Sequence, residues 1–245
     1  MNFIAIIPAR YQSTRFPGKP LALLGNKPII RHVYENACAV LEDVWVATDD
    51  ERIAEVVKGF GGKVVMTRND HQSGTDRCAE AASKIPVNFD VVINIQGDEP
   101  FIRREQLEAL KGCFADPQTQ IATLIKKAEN EAELFNPNRP KVVVDKQQNA
   151  LLFSRSPIPF IRGREREDWI SSHPFYCHLG MYAYRANILA EITKLRPSAL
   201  ELAESLEQLR WIENGYKIKT AITIFESIGI DTPEDLEAAR RLTVK

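Results

Sequence analysis

The chain has 245 residues, 44% of them hydrophobic and 27% charged, and its 32 basic and 33 acidic side chains leave a net charge of −1. That length is ample for a substantial core, and so even a charge balance argues against a nucleic-acid binder, which carries a general basic excess. Cys38, Cys78, Cys113 and Cys177 form no CxxC pair and no stretch approaches the roughly 18 apolar residues that span a bilayer, so free thiols in a reducing cytoplasm are expected.

Residues 3–7 form a short isoleucine-rich run that suits a strand buried on both faces, and they are too few for a signal-peptide core. Pro8 ends the run. The loop that follows carries Arg10, Arg15 and Lys19, and its prolines and glycine rule out a regular helix. No Asp or Glu precedes Glu35, while Lys27 and Arg31 extend the basic stretch. A solvated loop is the bland alternative, but solvated loops are seldom so purely one-signed. An α/β protein holds anionic ligands at such a place, arginine offering a planar fork for phosphate and lysine a mobile point charge. Neither a Walker loop nor a dinucleotide fingerprint occurs, so side chains and loop amides would do the holding.

The pattern then alternates: helix 27–41, strand 44–48, short helix 51–58, strand 63–66, a polar loop over 67–77 running into a helix, and strand 90–95. This βαβ rhythm with short connections predicts an α/β, Rossmann-like domain with a mostly parallel central sheet and helices on both faces. Ser73 or Thr75 can cap the helix after the polar loop, whose first amides would be free for a ligand, although capping alone explains either residue as well. His71 has no second ligand at metal spacing and reads as an exposed loop histidine. Asp98 follows the most hydrophobic strand, where a carboxylate sits in the binding crevice and suits Mg²⁺; the competing reading is a turn aspartate bonding its own backbone.

Beyond helix 103–114 and strand 120–126 the rhythm changes. Residues 141–145 and 150–154 read as a β-hairpin that leaves the main sheet. Residues 162–168 read as a charged, solvated loop, and 175–184 as an aromatic-rich strand pair or bent strand whose aromatics pack the core. Ser198 and Glu201 form a capping box for a helix that runs to Asn214 and buries Leu202, Leu206 and Leu209. After a last strand over 217–225, Thr232 caps a helix with Pro233 in its first position, which leaves Asp231 spare for the same metal as Asp98.

The opening segment IPARYQSTRFPGKPL resembles the first motif of the 3-deoxy-manno-octulosonate cytidylyltransferases, and later segments extend the resemblance over nearly the whole chain. It implies a single nucleotidyltransferase domain over 1–245, of the nucleotide-diphospho-sugar transferase type. It also implies a homodimer joined through the hairpin at about 140–155. The reaction implied is Mg²⁺-dependent transfer of CMP from CTP to the anomeric hydroxyl of 3-deoxy-D-manno-octulosonate (Kdo), giving CMP-Kdo and pyrophosphate for lipopolysaccharide synthesis.

By the same resemblance Asp98 and Asp231 hold the metal, and Arg15 and Lys19 neutralise the triphosphate. Pro8, Ala9 and Arg10 line the nucleotide site, with Ser73, Gly74 and Thr75 of the SGTDR segment at the cytosine and ribose end and Gln96 reaching both nucleotide and sugar. The SRxxIP and HLGxY segments place Arg155, His178 and Tyr182 in the sugar-acid pocket, with Arg155 on the carboxylate. The SLEQLR segment places Glu207 and Gln208 at the sugar hydroxyls; otherwise these two read as helix surface.

Sugar-phosphate uridylyl- and guanylyltransferases usually open with a GxGTR-like loop where this chain has Ala9-Arg10, and CMP-sialate synthetases usually have Asn where it has Pro20. The 8-amino analogue of Kdo stays open as an acceptor. A non-catalytic nucleotide-binding regulator would have no need for two separated metal carboxylates, and an RNA-binding module would show a basic face.

Overall fold

The computed structural model describes residues 1–243, which divide into two compact units. The first comprises Met1–Leu107, Ala183–Thr193 and the chain from Ser227 onward; the second comprises Glu108–Tyr182 and Lys194–Glu226.

The first unit opens with β1 (Phe3–Ala9), in which Ile4 to Ile7 are at most 1% exposed. The strand runs past its expected stop. Pro8 and Ala9 stay in register with a neighbour on one side, whereas the ladder on the other side ends at Ile6, as suits a residue with no N–H to offer a second partner. Leu23–Leu24 (β2) and Lys27–Pro28 (β3) form a small antiparallel ladder, so the helix expected from residue 27 begins later, as α1 (Ile29–Cys38). Pro28 is extended and takes the N-cap position, and its ring keeps the preceding residue, Lys27, out of the helical region, so the helix does not extend backwards.

Next come β4 (Asp43–Thr48), α2 (Glu51–Gly59), β5 (Lys63–Met66), α3 (Gly74–Lys84) and β6 (Val91–Asn94). Asp50 caps α2 by accepting from the Arg52 N–H, and Ser73 rather than Thr75 caps α3, accepting from the Asp76 N–H. The strands lie in the order β6-β1-β4-β5, all parallel. A parallel arrangement puts every strand's C-terminal loop at one edge, so the loops starting at residues 10, 49, 67 and 95 gather there.

α4 (Arg104–Cys113) leads into the second unit, where β7 (Ile121–Lys127) forms as expected; a short α5 (Glu131–Phe135), which the sequence reading lacked, follows it, and Asn130 caps α5 through the Glu133 N–H. The hairpin forms as expected from β8 (Lys141–Val144) and β9 (Ala150–Ser154). The Asp145 carboxylate accepts from the Gln147 and Asn149 N–H groups across the turn. It does not stand apart from the sheet: Lys141 and Val142 pair antiparallel with Cys177 and Tyr176 at the start of β10 (Tyr176–Arg185), which is one continuous strand.

The charged stretch is ordered too. It makes a 3₁₀ turn at Arg166–Asp168 and α6 (Trp169–Ser172), because Trp169 packs with Leu134 and Phe175 and the Arg166 guanidinium sits 5.3 Å over the Phe135 ring. α7 (Ala186–Ile192) belongs to the first unit.

The helix expected over 198–214 is two, α8 (Ala199–Glu204) and α9 (Glu207–Glu213), broken at Ser205, which is left-handed at φ 51. The break turns the predicted stripe: Leu206 and Leu209 are buried, but Leu202 is 70% exposed. β11 (Ile218–Ile222) pairs parallel with β7, and α10 (Pro233–Thr243) ends the described chain in the first unit.

Candidate active site

The gathered edge of the first unit holds a cavity of about 300 Å³. Pro8, Ala9 and Arg10 wall it from the end of β1, Arg15 and Lys19 from the cationic loop, and Ser73 and Gly74 from the start of α3. Gln96 and Asp98 enter after β6, and Asp231 enters from the segment before α10. Of the residues expected at the nucleotide, Thr75 alone is not in the wall; it lies inside the first turn of α3 and is 4% exposed.

The two carboxylates, 133 positions apart, meet at one ammonium: Lys19 Nζ lies 2.5 Å from Asp98 Oδ2 and 3.0 Å from Asp231 Oδ1. Arg15 Nη2 reaches Asp231 Oδ2 at 2.9 Å. Burial works against the charge on Asp231, but Lys19 and Arg15 outweigh it and hold the carboxyl below its ordinary range. Thr232 caps α10 as expected, accepting from the Asp235 N–H at 3.2 Å, while Asp235 Oδ2 accepts the N–H groups of both Asp231 and Thr232. The Asp231 side chain is thus left for the cavity.

Sequence reasoning misread His71 here and passed over Arg77, Gly97 and Glu99. His71 is not exposed: its side chain is 6% accessible, it lines the cavity, and its Nε2 bonds Glu80 on α3. Burial would raise Glu80, yet Lys84, His71 and the Arg68 N–H together hold it down at about 2. Arg77 is buried, bonding Thr67 Oγ1 at 2.6 Å and the Arg68 carbonyl at 3.2 Å, and so ties the end of β5 to α3. Gly97 brings two loops into contact, since a Cβ there would meet the Pro8 carbonyl oxygen at 2.7 Å. Glu99, 9% exposed, is not among the residues that line the cavity; burial pushes it up to about 7, with the neighbouring Asp98 and Asp231 charges adding to the shift. A glycine shortly after a buried strand was the one signal of these that the sequence displayed.

The remaining predicted residues lie in the second unit. His178 Nε2 is 3.0 Å from Thr123 Oγ1, and burial drives its pKa down to about 3, so the ring is neutral. Tyr182 stacks edge-on against Trp211, and burial raises its hydroxyl. Glu207 opens α9; Gln208 beside it is 5% exposed, and its Nε2 has no hydrogen-bond partner. Arg155 is already engaged: its Nε, Nη1 and Nη2 donate to the carbonyls of Glu204, Pro137 and Ser205 at 2.6, 2.9 and 3.2 Å. Two of those carbonyls are exposed by the break between α8 and α9.

A carboxylate pair facing a guanidinium and an ammonium, in a cavity at the carboxyl edge of parallel strands, is the equipment of a nucleotidyltransferase. The cytidylyltransferase family model matches residues 4–219. Two 3-deoxy-manno-octulosonate cytidylyltransferases, from Parabacteroides distasonis and Bacteroides thetaiotaomicron, are each 63% identical over 98% of this chain and 97% of their own length. The chain belongs to the 3-deoxy-manno-octulosonate cytidylyltransferase family. The solved structure of a CMP:2-keto-3-deoxy-manno-octonic acid synthetase complexed with CTP is 45% identical, with a TM-score of 0.92 over all of this chain and 99% of that one. At 12% identity and a TM-score of 0.64, the 4-diphosphocytidyl-2C-methyl-D-erythritol synthase of Anaerococcus prevotii shares the fold alone.

Proposed function

We propose that this enzyme transfers CMP from CTP to the anomeric hydroxyl of Kdo and releases pyrophosphate, with Mg²⁺ held by Asp98 and Asp231. We place it in the cytoplasm as a homodimer supplying activated sugar for lipopolysaccharide; no helix among the described residues is long and apolar enough to cross a membrane. The observation that carries this reading is the bridge from Lys19 to both carboxylates. Two oxygen donors that already close on one cation fit a divalent ion. No cluster of three or more His, Cys, Asp or Glu at metal spacing occurs among the described residues, which suits an ion that takes one or two carboxylates and completes its shell with phosphate oxygens.

When bound, Mg²⁺ would neutralise phosphate oxygens and polarise the attacking hydroxyl. The chain's own groups do the rest. Arg15 and Lys19 turn from the carboxylates to the triphosphate and stabilise charge on the departing pyrophosphate. Pro8, Ala9, Arg10, Ser73, Gly74 and Gln96 orient the nucleotide, and Thr75 supports them from within α3. Fixing the α-phosphate in line with the acceptor converts a bimolecular step into a positioned one.

For the acidic sugar, the buried and unpartnered Nε2 of Gln208 is a donor awaiting an acceptor, and Glu207 lies next to it in sequence. His178, held neutral, would recognise hydroxyls by hydrogen bonding rather than by charge, alongside Tyr182. Arg155 meets the sugar carboxylate only by leaving its three carbonyls, and otherwise shapes the pocket by fixing the break at Ser205.

Asp98→Asn tests the assignment. At saturating Mg²⁺ it should lower kcat/KM by on the order of a thousandfold, with a melting temperature near that of the wild type, because Lys19 keeps Asp231 as a partner. Retention of most of the activity would overturn the metal assignment.

A further inference from the structure

The cationic loop has open space on two sides. Ser13 and Thr14 wall the cavity described above and also a second one of about 570 Å³, which Tyr11, Pro17 and Arg52 help to line. The far half of the loop is held by packing, with Phe16 against Leu24, Ile29 and Ile230. The near half is held by a stack. Arg52, in the first turn of α2, places its guanidinium 3.3 Å from the centre of the Tyr11 ring. Its Nε and Nη2 donate to the two carboxylate oxygens of Asp50 at 2.9 and 2.6 Å, so the guanidinium plane is fixed from α2. Gly18 comes against the same ring, which a Cβ there would meet at 3.1 Å, and its N–H donates to the Tyr11 carbonyl at 2.8 Å. It does so at φ 72, where glycine is unstrained. Its carbonyl then accepts the Leu21 N–H at 2.9 Å and opens the 3₁₀ turn Lys19–Leu21. Lys19 thus takes its place from Gly18, and Gly18 from Tyr11.

We propose that Arg52 and Tyr11 are positioning residues: the guanidinium clasps the tyrosine ring, and the clasp fixes the backbone that presents Arg15 and Lys19 to a triphosphate. The inference rests on the triphosphate role given to that loop above. Neither Tyr11 nor Arg52 lines the first cavity, so the pair acts through the loop. A loop ordered in advance loses less freedom on binding, which sets affinity rather than chemistry. The Tyr11 hydroxyl makes no hydrogen bond among the described residues, so the ring is what matters and phenylalanine keeps it. The Arg52 side chain is 58% exposed, so its loss leaves the fold standing.

The test uses the intact enzyme with Arg52→Ala, Tyr11→Ala, the double variant, Tyr11→Phe and Lys19→Ala. Four readouts are taken: kcat, the KM for CTP, inhibition by inorganic tripolyphosphate and by CMP, and hydrogen exchange of the Gly18 amide. Arg52→Ala and Tyr11→Ala should each raise the KM for CTP and weaken tripolyphosphate by on the order of tenfold, while CMP and kcat stay within a few fold. Both should speed exchange at Gly18. The double variant should be no worse than the weaker single one, and Tyr11→Phe should behave as wild type. Unchanged tripolyphosphate affinity in Arg52→Ala, an equal loss for CMP, or a phenylalanine variant as impaired as the alanine one would overturn the proposal. Undiminished tripolyphosphate affinity in Lys19→Ala would instead sink the triphosphate role of the loop; faster exchange at Gly18 in the alanine variants would then show that the clasp exists and that its effect on phosphate does not.

Discussion

At the scale of single residues, charge in this site is arranged by groups distant in sequence. The pair of His71 and Glu80 is the instance the sequence reading missed, because nothing in the spacing shows that a glutamate two turns into α3 faces back to the loop. Glu80 has a pKa of about 2 in the fold against an ordinary 4.5, so in acid the unfolded chain takes up the proton first. The stability it contributes is complete above about pH 4.5 and is lost as the pH falls toward 2. Glu80→Gln should therefore be less stable than wild type at pH 7 and show a flatter melting temperature between pH 5 and 3, by calorimetry. Equal slopes in the two proteins would show that Glu80 is not held down by its partners. Asp98 and Asp231 were legible because each lies just past a short apolar run; that Lys19 would bridge them was not, since a lysine's reach is invisible to sequence.

Among the elements, legibility followed the strength of the local signal. The parallel strands and capped helices of the first unit appear where hydrophobic runs and Asp50, Ser73 and Thr232 place them. The misplaced boundaries have local causes: Pro28 delays α1, and Ser205 splits the helix over 198–214. That split is sustained by tertiary bonds, since Arg155 gathers the Glu204 and Ser205 carbonyls and Glu204 in turn accepts from Ser154 Oγ and the Arg155 N–H. A capping box predicts a helix start but carries no information about such a stop. Gly97 offers the sharpest test at this scale. A methyl group in Gly97→Ala would lie 2.7 Å from the Pro8 carbonyl oxygen, backbone that cannot simply turn aside. The substitution should cost about 1–3 kcal/mol in urea unfolding and raise the KM for CTP as the two loops part. An unchanged unfolding midpoint and KM would mean the loops are not pressed together there.

For the whole molecule, composition set no more than a chain ample for a substantial core, and the α/β class came from the strand–helix rhythm; the division into two units has no marker in the sequence, because no linker rich in Pro, Gly or Ser separates them. The second unit exposes more apolar surface than a solvated face needs: Leu151 is 55% exposed and Leu152 38% on β9, with Leu202 and Ile224 also in water. The homodimer proposed above would cover the β9 leucines. Sedimentation velocity should give a dimer for the wild type and a monomer for Leu151→Asp with Leu152→Asp, since buried carboxylates without partners are costly in such an interface. A wild-type monomer, or a double variant that still dimerises, would remove the hairpin from that role.

The central claim is the reaction itself, and pyrophosphate release measured with each of the four nucleoside triphosphates, with and without Kdo, tests it most directly. In Mg²⁺, release is expected to need Kdo and to run at least about a hundredfold faster with CTP than with any other triphosphate. Release from CTP without Kdo, equal release from another triphosphate, or none from any pair would contradict it.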